Sequence, residues 1–179
     1  MTSLEEALLE VTSCLEALSI PHMLIGGLAV SLWGEPRATL DIDLSLWVEP
    51  ENQQTTVQHL CERFHTPVTA PHEFLEQNRV LPLVTSQGVR ADLIFATLPY
   101  EKHAIVRAAI KDVAGRAVRV TTVEDLVLMK AMSEREKDLE DARRLVRRHA
   151  ASLDRRYLEP HLRQLAEAMT RPEILNLLP

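Results

Sequence analysis

An alternating run from Leu40 to Val48 limits this chain more than any other stretch. Leu40, Ile42, Leu44, Leu46 and Val48 fall on one face of an extended segment, and Asp41, Asp43, Ser45 and Trp47 fall on the other. Successive side chains of a strand point to opposite faces. Asp41 and Asp43 therefore project side by side, away from the aliphatic face. Two carboxylates so placed repel each other unless a cation sits between them. A divalent ion is the natural candidate, because hard cations such as Mg²⁺ take oxygen ligands.

Upstream, an apolar strand over 22–25 runs into the pair Gly26-Gly27, and a short apolar helical segment follows from Leu28 to Trp33. The glycines permit a tight turn and a close backbone approach by a ligand. The helix aims its first amides at the same space, an arrangement that favours phosphate. The plainer alternative is a strand-to-helix turn with no ligand. Residues 34–39 form a loop carrying Arg37, which is either a triphosphate clamp or a surface partner of Asp41 or Glu35.

Gly26-Gly27, thirteen residues, and then Asp41-Ile42-Asp43 resemble the signature of the polymerase-β-like nucleotidyltransferase superfamily. That signature is a Gly pair, a short helix and an Asp-x-Asp strand, joined by a third carboxylate on a neighbouring strand. Ala91-Asp92-Leu93 fits the third slot. Within the superfamily, Arg37, Lys130 and the run from Lys137 to Asp141 look most like the AbiEii-type group, which includes many toxins of toxin–antitoxin pairs. The resemblance covers roughly residues 20 to 148. It implies an α+β fold with a mixed sheet, a core over 1–121 and a helical region over 122–179. It also implies Asp41, Asp43 and Asp92 as metal ligands for Mg²⁺ or Mn²⁺, with an NTP as donor. Gly26, Gly27, Arg37, Lys130 and Asp138 would face that nucleotide.

Composition narrows the class. A length of 179 residues suits one domain or a domain with a small appendage. With 46% apolar and 26% charged residues, the chain is globular and can build a core. No run approaches the roughly 18 apolar residues of a membrane span. Glu5, Glu6 and Glu10 make the N-terminus unlike a secretory signal. Cys14 and Cys61 stand apart, so neither a disulfide framework nor a zinc site is expected, and a reducing cytoplasm is the default location. A net charge of −6 argues against a globally basic nucleic-acid binder but permits a local basic patch.

The remaining elements follow from periodicity and turn signals. Residues 3–18 read as an amphipathic helix opened by a Ser3–Glu6 capping box. Pro50 starts a second helix over 51–64, with Val57, Leu60, Cys61 and Phe64 inward and His59 and His65 facing solvent. Residues 67–77 read as a loop with one helical turn. Residues 79–85 and 89–95 form a hairpin that holds Asp92 in mid-strand, where an unpaired charge is expensive. A helix over 99–108, a small hairpin over 110–120 broken at Gly115, and helices over 122–132, 136–149 and 154–170 complete the chain. Lys130 is either a nucleotide-facing cation or a surface lysine. Arg143, Arg144, Arg147 and Arg148 either pair with acidic neighbours or meet RNA phosphates.

Three functions fit these residues. The first is a metal-dependent enzyme moving a nucleoside monophosphate from an NTP to an acceptor. The resemblance implies RNA, with tRNA foremost, or a protein as that acceptor, and an antitoxin as a protein partner. The second is a small-molecule transferase like those that modify aminoglycosides or lincosamides. The small aromatic content of two Trp, two Tyr and three Phe disfavours it as a drug pocket. The third is a non-catalytic nucleotide- or partner-binding domain, which the presence of all three aspartates disfavours.

Overall fold

The structure, a computed structural model, describes residues 1–34 and 39–178, so Arg37 lies outside the described residues. The described residues gather into two compact units. One lies within Met1–Leu28 and Arg37–Thr121, and the other within Ala29–Pro36 and Thr122–Pro179.

The first unit holds a six-stranded mixed sheet. Its strands are β1 (His22–Ile25), β2 (Ile42–Leu46), β3 (Val80–Val84), β4 (Arg90–Phe95), β5 (Ala109–Val113) and β6 (Arg116–Val120), in the order β3-β4-β2-β1-β6-β5. β1 runs antiparallel to β2 and parallel to β6, while β2 runs parallel to β4. The outer pairs β3–β4 and β5–β6 are antiparallel hairpins. Pro82 lies in β3, an edge strand whose far side carries the isolated His65–Val84 bridge, and a missing N–H at Pro82 is tolerated there.

Helix α1 (Ser3–Ala17) precedes β1, and α2 (Gly26–Trp33), whose residues from Ala29 on fall in the second unit, α3 (Gln53–Arg63), α4 (Pro71–Asn78) and α5 (Pro99–Arg107) lie between strands. The core is aliphatic. Ile42, Leu44, Leu46, Leu81, Leu83 and Leu93 are fully buried in the sheet, and Leu8, Val11 and Leu15 are fully buried on α1. Each such side chain contributes about 2 kcal/mol through its removal from water.

Several local expectations are corrected. The cap of α1 is Thr2, not Ser3: the Thr2 hydroxyl accepts from the Glu5 N–H, and Glu5 accepts from the Thr2 N–H. Thr2 is extended whereas Ser3 is already helical, so only Thr2 can cap. The alternating run is shorter as a strand than as a pattern. Pairing starts at Ile42, and Leu40 is 82% exposed instead of facing the core. Residues 71–78 make a full helix where a loop with one turn was expected. Leu75 is its one buried side chain, so the segment carries no apolar period to read.

The second unit contains α6 (Val123–Met132), α7 (Glu136–Arg148), α8 (Arg155–Ala168) and a closing 3-10 turn, Pro172–Leu177. Leu126, Val127, Ala142, Leu145, Leu158, Leu162 and Ile174 form its core. Thr122 caps α6 by accepting from the Asp125 N–H, and Asp154 caps α8 by accepting from the Tyr157 N–H. The architecture is α+β, as the sequence implies. Among the described residues no helix is long and apolar enough to cross a membrane.

Candidate active site

The aspartates meet through strand register. β2 and β4 lie side by side and parallel, with Asp43 opposite Asp92. Paired residues on neighbouring strands point to the same face, about 4.8 Å apart along the hydrogen-bonding direction. Asp41 sits two residues before Asp43, ahead of the first residue of β2, and is exposed. Asp43 and Asp92 are half-buried.

β1 brings the glycine pair to the same place. Ile25 pairs with Asp43, and Gly26 begins α2 immediately afterwards. Gly26 has a φ of +68°, in the left-handed region. A Cβ there would lie 1.9 Å from Asp43 Oδ2 and 2.6 Å from its Cγ. The residue must therefore be glycine on two counts, backbone conformation and space. The Asp43 carboxylate consequently lies against the N-terminal end of α2, the end whose partial positive charge favours an anion.

Arg90, a residue the sequence reading did not single out, completes the electrostatics. Its Nε donates to Asp92 Oδ1 at 2.9 Å, while its side chain stays 58% exposed. The hydrogen bond to Asp92 and the Asp92 charge hold the guanidinium proton more tightly than usual. Burial opposes this, and the charges of Asp41 and Asp43 add to it. A signal was present in the sequence: Arg90 precedes Asp92 by two residues, so both share one face of β4.

Among the described residues no three carboxylate, His or Cys side chains converge on one ion-sized point. The donor chemistry nevertheless suits a hard divalent ion, since it is made of carboxylate oxygens. Asp43 and Asp92 share a face through their register, and the space that a Cβ on Gly26 would fill is taken by the Asp43 carboxylate.

The second unit holds a separate charged cluster. Lys130 Nζ lies 2.5 Å from Asp138 Oδ1 and 3.3 Å from Asp141 Oδ2, with all three residues no more than 8% exposed. Ser133 Oγ and Arg135 Nε both donate to Asp138 Oδ2, at 2.7 and 2.6 Å. Burial pushes the Asp138 carboxyl up, but the hydrogen bonds from Lys130, Ser133 and Arg135 and the Lys130 charge outweigh it. The result is a value of about 2. Lys130 and Asp138, named separately from the sequence, are thus partners of one another.

On the exposed side of α7, Arg143 pairs with Glu136 and Glu140, and Arg144 and Arg147 both reach Glu140. At the other end of β2 from Asp43 lies a cavity of about 400 Å³ lined in part by Ser19, Trp47, Glu49, Asn52 and His59. There Trp47 Nε1 donates to Glu49, and Lys102 stands over the Trp47 ring while pairing with Glu49. This cavity offers one carboxylate and lacks the paired aspartates.

The family described as nucleotidyl transferase of unknown function (DUF2204) matches residues 4–178. No curated protein matches the chain in sequence. Among solved structures, the crystal structure of ANT(2″)-Ia in complex with adenylyl-2″-tobramycin is similar with a TM-score of 0.60 at 16% identity, over 94% of this chain and 99% of that one. The lincosamide antibiotic adenylyltransferase LnuA, solved with lincomycin bound, gives 0.55 at 16% identity, over 79% of this chain and 95% of that one. A nucleotidyltransferase-like antigenic protein from Paracoccidioides brasiliensis gives 0.50 at 15% identity, over 97% and 93%. At such identities the likeness speaks for the fold alone.

Proposed function

We propose, for a chain that belongs to the nucleotidyl transferases of unknown function (DUF2204), that it moves a nucleoside monophosphate from an NTP to a hydroxyl of a small-molecule acceptor. The observation that carries the reaction type is the register of Asp43 with Asp92, beside a glycine whose missing side chain makes room for the Asp43 carboxylate. The acceptor class draws its support from the similar structures, whose own acceptors are antibiotics.

In this reading Asp41, Asp43 and Asp92 hold Mg²⁺ or Mn²⁺. When bound, the metal supplies charge neutralisation on the transferring phosphate. The other contributions come from the chain. Gly26 and Gly27 present backbone amides to the phosphates at the start of α2. Asp92 faces the acceptor and receives the proton of its hydroxyl. Arg37 neutralises the triphosphate. Transfer of this kind needs alignment and charge stabilisation more than a covalent intermediate, so no Ser or Cys nucleophile is required. The nucleotide-facing role that the resemblance implies for Lys130 would require its ammonium to leave two carboxylates.

The AbiEii-like reading, with an RNA or protein acceptor and an antitoxin partner, draws less support. Its basic surface rests on arginines of α7, and three of these are already paired with glutamates. Incubating the protein with labelled NTPs, Mg²⁺ and, in parallel, an aminoglycoside and lincosamide panel or total tRNA tests the choice. Labelled small molecule is the expected result. Labelled tRNA would reverse the ranking, and the absence of both labelling and Mg²⁺-dependent NTP binding would remove the enzyme reading.

A further inference from the structure

Two half-buried carboxylates in register on adjacent strands, with a third just upstream, form a concentration of negative charge that must be balanced before any divalent ion arrives. A cation that offsets part of it belongs to the same strand as one of them. Arg90 stands at the first position of β4, two residues before Asp92, and its Nε is bonded to Asp92 Oδ1 at 2.9 Å. The pairing takes up one oxygen that a bound ion would need. The side chain is also 58% exposed, so it can swing into solvent without breaking packing.

We propose that Arg90 is a built-in placeholder cation: it offsets the charge of Asp92 before the metal binds, and the divalent ion must displace it from Asp92 to complete the site. This inference rests on the metal-site reading given above. It makes Arg90 a positioning residue, acting on the reaction through Asp92. Displacement makes metal entry competitive with an internal ion pair. Metal alone therefore binds weakly, while metal arriving with a nucleotide gains an additional benefit, because the released guanidinium can meet the phosphates. The arrangement reduces the unbalanced charge of the empty site and ties full metal occupancy to the presence of substrate.

The test is Mn²⁺ binding to the full chain, read by calorimetry and by Mn²⁺ electron paramagnetic resonance, for wild type, Arg90→Ala, Arg90→Lys and Asp43→Asn. Arg90→Ala should bind Mn²⁺ about two- to fivefold more tightly than wild type in the absence of nucleotide, the size set by losing a partly exposed ion pair. Arg90→Lys, which retains the charge, should stay near wild type. In chelator Arg90→Ala should melt at a lower temperature than wild type, and Mn²⁺ should close that gap. NTP should tighten Mn²⁺ binding by a smaller factor in Arg90→Ala than in wild type. If wild type binds Mn²⁺ in a manner that Asp43→Asn abolishes, but Arg90→Ala binds equally or more weakly, the placeholder role is overturned and the metal site stands. If neither wild type nor Arg90→Ala shows binding that depends on Asp43, the metal-site reading falls and this inference falls with it.

Discussion

Gly26 and Asp43 compete for one volume: a Cβ on the glycine would lie 1.9 Å from the Asp43 carboxylate oxygen. The strand end, the helix start and the acidic residue are therefore fixed against one another by the absence of a side chain. Gly26→Ala should destabilise the protein by at least about 1–2 kcal/mol from the left-handed backbone alone, and further from the clash. In an Asp43→Ala background the clash with the carboxylate is removed but the Asp43 Cβ, 2.8 Å from the added methyl, stays, so the steric part should shrink and the backbone part remain. Urea unfolding of the four proteins in this double-mutant cycle measures the difference.

In the proposed reaction Asp41 and Asp43 serve the chemistry. Asp41→Asn and Asp43→Asn should each lower the rate of nucleotidyl transfer by about 100-fold or more, the scale of removing one element of electrostatic preorganisation. Asp41→Asn should melt no lower than wild type in chelator, since it removes one member of a repelling set, whereas Asp43→Asn gives up the charge held against the N-terminal end of α2. Steady-state transfer assays and thermal melts, run on the same preparations, check the two halves.

The Lys130–Asp138–Asp141 cluster makes the helical unit sensitive to strong acid. The Asp138 carboxyl titrates at about 2 in the folded protein, against an ordinary value of 3.8. The folded state thus binds its proton less readily than the unfolded state. The associated stability, about 2 kcal/mol, is present above pH 4 and is lost as the pH falls from about 4 through 2. Asp138→Asn should be less stable than wild type by about that amount at pH 7, and the two should converge near pH 2. Lys130→Met leaves two buried carboxylates without their main partner and should cost about 3 kcal/mol or more. Urea titrations across the pH series read all three.

Trp47 offers a spectroscopic view of the other end of β2. Its indole N–H donates to Glu49, whose carboxyl is held below the usual 4.5 first by that hydrogen bond and then by Lys102. Protonating Glu49 breaks the polar environment of the ring. In a Trp33→Phe background, acid titration of the Trp47 emission should show a step with its midpoint below 4.5. Glu49→Gln should abolish that step.

Much of the fold was legible because its signals are local. The two hairpins, the Gly pair before a helix and the Thr122 cap each depend on residues close in sequence. The failures have physical causes. Leu40 continues the alternation of polarity, but the ladder it would extend begins at Ile42, and alternation alone does not report where pairing stops. Ser45 lies on the polar face of the pattern yet is 2% exposed, because both faces of this central strand are covered. α4 buries only Leu75, so no period marked it. At the site, the three aspartates and the glycines were readable from spacing and resemblance. The Arg90–Asp92 bond was not, because an arginine on a strand has many carboxylates within its reach, and only the fold selects one.

The parallel pairing of β2 with β4 has a consequence for how the protein comes into being. Asp43 and Asp92 are joined by a long crossover that includes α3, α4 and β3, so no short fragment of the chain holds both. While the chain emerges from the ribosome, its first ninety or so residues carry an acidic strand without its neighbour, and loop closure must come before the carboxylates can meet. Any site that needs both carboxylates is therefore acquired in one step, only once β4 has been made and has paired with β2.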